Sequence, residues 1–89
     1  MNEALEALKR RFKTRCVEDQ SRLQSIEAED DRDGLKMLAH KIAGAAGVFG
    51  FDALGRAARD VEEQLDLGLP PEPESLAALH RLLAEAAQE

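Results

Sequence analysis

Four stretches of this chain carry apolar residues at the 3.6-residue repeat of an α-helix, and clusters of acidic residues, glycine or proline separate them. No stretch alternates apolar and polar residues as a half-buried strand would. In the first, from about Asn2 to Ala28, Leu5, Leu8, Phe12, Cys16, Leu23 and Ile26 share one stripe. Asp19 falls near that stripe, where a carboxylate needs a partner or an edge position. Glu29 to Gly34 interrupts the pattern, and its aspartates offer N-caps to a second helix. That helix is expected to end at about Phe49, with Gly50 suited to its C-terminus. Asp52 is the expected N-cap of a third helix, whose buried face is Leu54, Ala57, Ala58, Val61 and Leu65. Gly68 and Pro70-Pro71-Glu72-Pro73 stop it, because proline lacks an amide donor and blocks helix continuation. A fourth helix starts at about Glu74 and turns Leu76, Leu79, Leu82, Leu83 and Ala86 inward. Short loops between amphipathic helices predict an all-α, antiparallel up-and-down four-helix bundle, a single domain over residues 1–89.

Composition agrees and excludes several functions. The 89 residues suffice for one modest core and leave no room for a nucleotide-binding module beside it. A net charge of −6 argues against general nucleic-acid affinity, which needs a basic surface. No run of about 18 apolar residues could span a membrane. The acidic start, Met1-Asn2-Glu3-Ala4, does not read as a secretory signal, so a cytoplasmic location is expected. The lone Cys16 cannot form an internal disulfide and reads as a small core hydrophobe.

The chemistry-bearing residue is His40. Leu35, Leu38, Ala39, Ile42, Ala45, Ala46 and Phe49 form the core-facing stripe of the second helix. His40 projects about 160° from the centre of that stripe at 100° per residue. Its expected neighbours on the outer face are Lys36 one turn before, Ala43 and Gly44 one turn after, and Gly47 two turns after. Helical side chains lean toward the N-terminus, so the residue at i+4 shields the one at i. Glycine at position 44 removes that shield, and each glycine costs a helix roughly 1 kcal/mol relative to alanine. An accessible, neutral imidazole is a nucleophile able to carry a phosphoryl group, and close in-line approach requires an uncrowded surface.

Other chemistries fit poorly. With two histidines and one buried cysteine, no metal-ligand set and no Glu-x-x-His pair is available. Ser21, Ser25 and Ser75 lack the glycine-rich turns of a hydrolytic nucleophile. The glycines match neither a Walker A loop nor a dinucleotide fingerprint. His80 lies at the edge of the fourth helix's stripe with no small residues around it, and reads as a bundle-edge residue.

The run His40, Ile42, Gly44, Ala46 and Gly50, preceded by Ala39 and followed by Leu54, Ala58 and Val61, resembles the histidine phosphotransfer (HPt) family. The likeness is detailed over residues 35–65 and its four-helix layout covers nearly the whole chain. It implies a phosphorelay intermediate that accepts a phosphoryl group on His40 from a receiver-domain aspartate and passes it to another response regulator. The implied partners are receiver domains of a hybrid histidine kinase and of a response regulator. It implies no ATP site and no cofactor of its own, with Mg²⁺ confined to the receiver's acidic pocket. The expected protein is a monomer, and its length argues for a free-standing chain. One position departs: the family's usual lysine three residues after the histidine is Ala43 here. Lys36, on the face of His40, is the expected replacement cation, while Lys41, offset by about 100°, is better placed at the rim of a partner surface. Two further readings stay open: a receiver-docking regulatory module with little transfer, and the substrate-histidine domain of a larger kinase.

Overall fold

A computed structural model describes residues 3–88 and contains four helices: α1 (Glu3–Ala28), α2 (Arg32–Val48), α3 (Asp52–Asp66) and α4 (Pro73–Gln88). Each helix packs on two neighbours: α1 on α2 and α4, and α3 on α2 and α4. Pairs that sum to a near-constant residue number fix the directions as antiparallel. His40 meets Glu62 and Lys36 meets Asp66, two α2–α3 pairs of equal sum, and the short connections at Glu29–Asp31 and Leu67–Glu72 turn α1 and α4 back on their neighbours in the same way. The up-and-down bundle is therefore as expected. Leu23, Leu54, Val61, Leu79, Leu83 and Cys16 are almost wholly removed from water, and Ala39 and Ala46 of α2 complete the centre. The expected start of α1 at Asn2 lies outside the described residues.

All three connections use one device. At each helix C-terminus a residue with positive φ (Asp30, Gly50 or Gly68) lets the following amides turn back onto the last carbonyls. After α2, Phe51 N–H donates to the Ala46 carbonyl at 2.9 Å and Gly50 N–H to Gly47 at 3.4 Å. Asp31 N–H donates to Ile26 at 3.0 Å, and Leu69 N–H donates to Gln64 at 3.0 Å. Asp31 then caps α2, its carboxylate accepting from Gly34 N–H at 2.9 Å. Only the first connection uses a residue with a Cβ at the left-handed position, at φ 53°. That conformation costs a non-glycine residue about 1 kcal/mol. Asp30→Gly is therefore expected to raise stability by up to about 1 kcal/mol, read as a higher denaturant midpoint with unchanged slope.

Two expectations are corrected. Asp52 is the first residue of α3 rather than its cap; Phe51 occupies the cap position and makes no side-chain cap bond. Leu5 and Leu8 share the stripe of Phe12 but are 46% and 48% exposed. The reason is length: α1 has 26 residues against 17 in α2. Phe12 already packs against Phe49 and Phe51 at the far end of α2, both ring pairs at 5.3 Å between centroids. The turns before Phe12 run on past the bundle end.

Cys16 is buried as expected, and burial, reinforced by the nearby Asp19 carboxylate, pushes its thiol up to about 11. Alkylation at pH 8 should therefore follow opening of the bundle rather than the rate of a free thiol. A native-state rate equal to that of a small-molecule thiol would contradict this packing. Asp19 itself is buried, and burial raises its carboxyl above the usual range despite the opposing charges of Arg15, Arg22 and Lys41.

Candidate functional site

The site forms where α2 and α3 approach across small residues. An added Cβ on Gly55 would lie 3.7 Å from the Ala43 carbonyl and 3.8 Å from the Ala46 Cβ. That close approach carries Glu62 of α3 to His40 of α2. The His40 side chain is 75% exposed, and its Nδ1 lies 2.7 Å from Oε2 of Glu62, whose side chain is only 19% exposed. An ionised carboxylate can only accept a hydrogen bond, so Nδ1 is the protonated nitrogen that donates. The neutral ring then carries its lone pair on Nε2, which makes no hydrogen bond among the described residues. One nitrogen is held and the other presented.

His80 has the opposite arrangement. Its Nε2 lies 2.6 Å from Glu27 Oε2, and the side chain is one-third exposed. The distal nitrogen is engaged, leaving only Nδ1 beside the residue's own backbone. Among the described residues no group of three or more His, Cys, Asp or Glu is placed to hold a metal ion.

Around His40, Lys36, Lys41, Gly44 and Gly47 are all exposed on one continuous face of α2. A Cβ added to Gly44 or Gly47 would meet nothing within 4 Å. Neither glycine has positive φ, so neither turn geometry nor helix packing requires it. Gly44→Ala should accordingly leave the fold intact and stabilise it by up to about 1 kcal/mol. Gly44→Gln should fold equally well yet slow transfer from a docked partner; a folded Gly44→Gln protein that transfers at the parent rate would contradict a steric role.

Ala43 is the correction here. It was expected on the outer face and is instead buried, 6% exposed, at the contact with α3, so it cannot line a partner surface. Lys36 faces out, but its ammonium is paired with Asp66 of α3 at 2.5 Å, and that hydrogen bond raises the lysine above its usual range. Three contributors were not seen in the sequence. Glu62 orients the histidine, and Met37 (62% exposed) and Val48 (73% exposed) form apolar flanks of the Gly44 surface.

The fold and site define a small helical bundle that presents one histidine, His40, held at Nδ1 and open to solvent at its other nitrogen. The model of the Hpt domain family matches residues 7–89, and the chain belongs to that family. Membership implies histidine phosphotransfer in phosphorelays and interaction with receiver domains of two-component systems, by modules that lack an ATP-binding kinase site of their own. No curated protein and no solved structure matches the chain. No helix among the described residues is long and apolar enough to cross a membrane.

Proposed function

We propose that His40 is the phosphoacceptor of a phosphorelay intermediate, charged by one receiver-domain aspartyl phosphate and discharged to the aspartate of another. The lone pair of Nε2 attacks phosphorus in line as the bond to the aspartyl oxygen breaks, and the carboxylate leaves with the bonding pair. The Nε2–P bond leaves the ring as an imidazolium, its Nδ1 proton held against the Glu62 carboxylate as counter-charge. Transfer onward runs the same step in reverse. Any Mg²⁺ belongs to the acidic pocket of the receiver, which serves both steps. Lys41, Gly44 and Gly47 belong to the docking surface, and Lys36 is a candidate helper cation whose charge is shared with Asp66. The observation that carries this reading is the pairing of a pinned Nδ1 with an uncovered Nε2 beside two glycines the fold does not need.

The test is incubation with purified receivers charged by acetyl phosphate, followed by NMR of the labelled protein. Acid-labile, base-stable phosphate on Nε2 of His40 is expected. Label on Nδ1, or on His80, would overturn it. The engagement of Lys36 with Asp66 favours one alternative, a docking module with little transfer. Such a protein would bind the same receivers and take no label.

A further inference from the structure

The surface around His40 is electrically lopsided. On its α3 side, carboxylates occupy the flank: Glu62 holds His40 and Asp66 holds Lys36. On the other side, two adjoining grooves of about 600 and 350 Å³ run between α1 and α2 and share Arg22, Leu38 and Lys41 in their walls. Arg15 extends the cationic wall of the smaller groove, and Met37 lines the larger one. All four of Arg15, Arg22, Met37 and Lys41 are exposed.

In a chain of net charge −6, three cations converging on one trough oppose the overall field. The carboxylates nearby do not cancel them at this end. Asp19 lies buried in the floor of the smaller groove, a single carboxylate facing the three cations Arg15, Arg22 and Lys41. Asp31 sits at the far end of the larger groove and is occupied in capping Gly34, with Glu29 beside it. The trough is also continuous with the face of His40: Lys41 is the next residue, and Met37 and Gly44 lie between them around the helix.

We propose that the α1–α2 trough is a specificity subsite of the docking surface, taking an acidic side chain of the receiver that engages His40 between Arg22 and Lys41, with an apolar neighbour against Met37. This rests on the phosphotransfer reading. Opposite charge at the rim of a contact sets which partner docks and how fast it arrives more than it sets the chemistry within the complex. Binding should therefore respond to these residues, and the bound rate should not.

The experiment uses the whole chain and those receivers, from a panel charged with acetyl phosphate, that label His40. For the double variant Arg22→Glu/Lys41→Glu, the half-saturating receiver concentration should rise about tenfold or more at low salt, with the maximal transfer rate changed less than about threefold. The parent's loss of affinity with added salt should be shallower in the variant. Asp19→Asn, which strips a negative charge from the trough floor, should move the half-saturating concentration the other way. Structural damage would instead impair both variants alike. Circular dichroism checks folding, and if the double reversal unfolds, Lys41→Gln and Arg22→Gln separately should each raise the half-saturating concentration severalfold. Folded variants whose half-saturation stays within twofold of the parent at low salt overturn the proposal alone. If no receiver labels His40, the phosphotransfer reading fails, and the subsite with it.

Discussion

His40→Gln is expected to remove all acid-labile label while leaving the protein folded. The substitution acts at a side chain three-quarters exposed to water, whose hydrogen bond to Glu62 lies at the edge of the α2–α3 contact. Surface changes of this kind typically alter stability by no more than about 0.5 kcal/mol. The melting temperature should therefore move by a few degrees at most. Labelling should fall by the full dynamic range of the assay, because glutamine has no nucleophilic nitrogen and His80 cannot substitute. The distal nitrogen of His80 is held by Glu27 at 2.6 Å, and the ring is two-thirds covered. The complementary measurement is His80→Gln, which should transfer at the parent rate. Stable label on a folded His40→Gln protein would mean that the exposure and tautomer arguments chose the wrong residue. A His40→Gln protein that still binds receivers but takes no phosphate separates docking from chemistry and locates the loss in the acceptor itself.

The parts of this protein legible in the sequence are those fixed by local geometry. Helical periodicity assigns a face to each residue, and left-handed or proline positions end the helices, so the four elements and the outward projection of His40 follow from residue order. What periodicity does not contain is where a neighbouring helix reaches. Leu5 and Leu8 carry the same stripe as Phe12, yet α1 has 26 residues against 17 in α2 and 16 in α4, and its first turns stay largely exposed. Ala43 lies only about 60° around the helix from His40, but α2 is flanked by both α1 and α3, and the second contact covers Ala43 while sparing the histidine. Glu62 is the clearest case. It stands 22 residues from His40, and their meeting depends on the turn at Gly50 and on the closeness that Gly55 permits. The sequence offered one usable signal: Glu62 follows the buried Val61 at the flank of the α3 stripe, where a polar side chain can lie along a helix–helix seam.

Glu62 therefore carries the second large prediction. Without it the imidazole can turn about its bonds, exchange tautomers and present the wrong nitrogen. The imidazolium formed on transfer also loses its counter-charge. A hydrogen bond to a charged group contributes about 1.5–3 kcal/mol, and exposure of the ring puts this one at the low end. Glu62→Ala should accordingly lower the maximal transfer rate about tenfold, with little change in the receiver concentration needed for half-saturation. Glu62→Gln should fall between: its amide oxygen can accept from Nδ1, but it supplies no charge. A Glu62→Lys protein should be the slowest of the series, because an ammonium can only donate, which forces the proton onto Nε2 and blocks the nucleophile. Nitrogen NMR of the ring reads the tautomer independently of activity, expected as protonated Nδ1 in the parent and mixed in Glu62→Ala. If Glu62→Ala transfers within twofold of the parent while its ring shows mixed tautomers, the carboxylate does not position the nucleophile, and the short bond to His40 serves only to join α2 to α3.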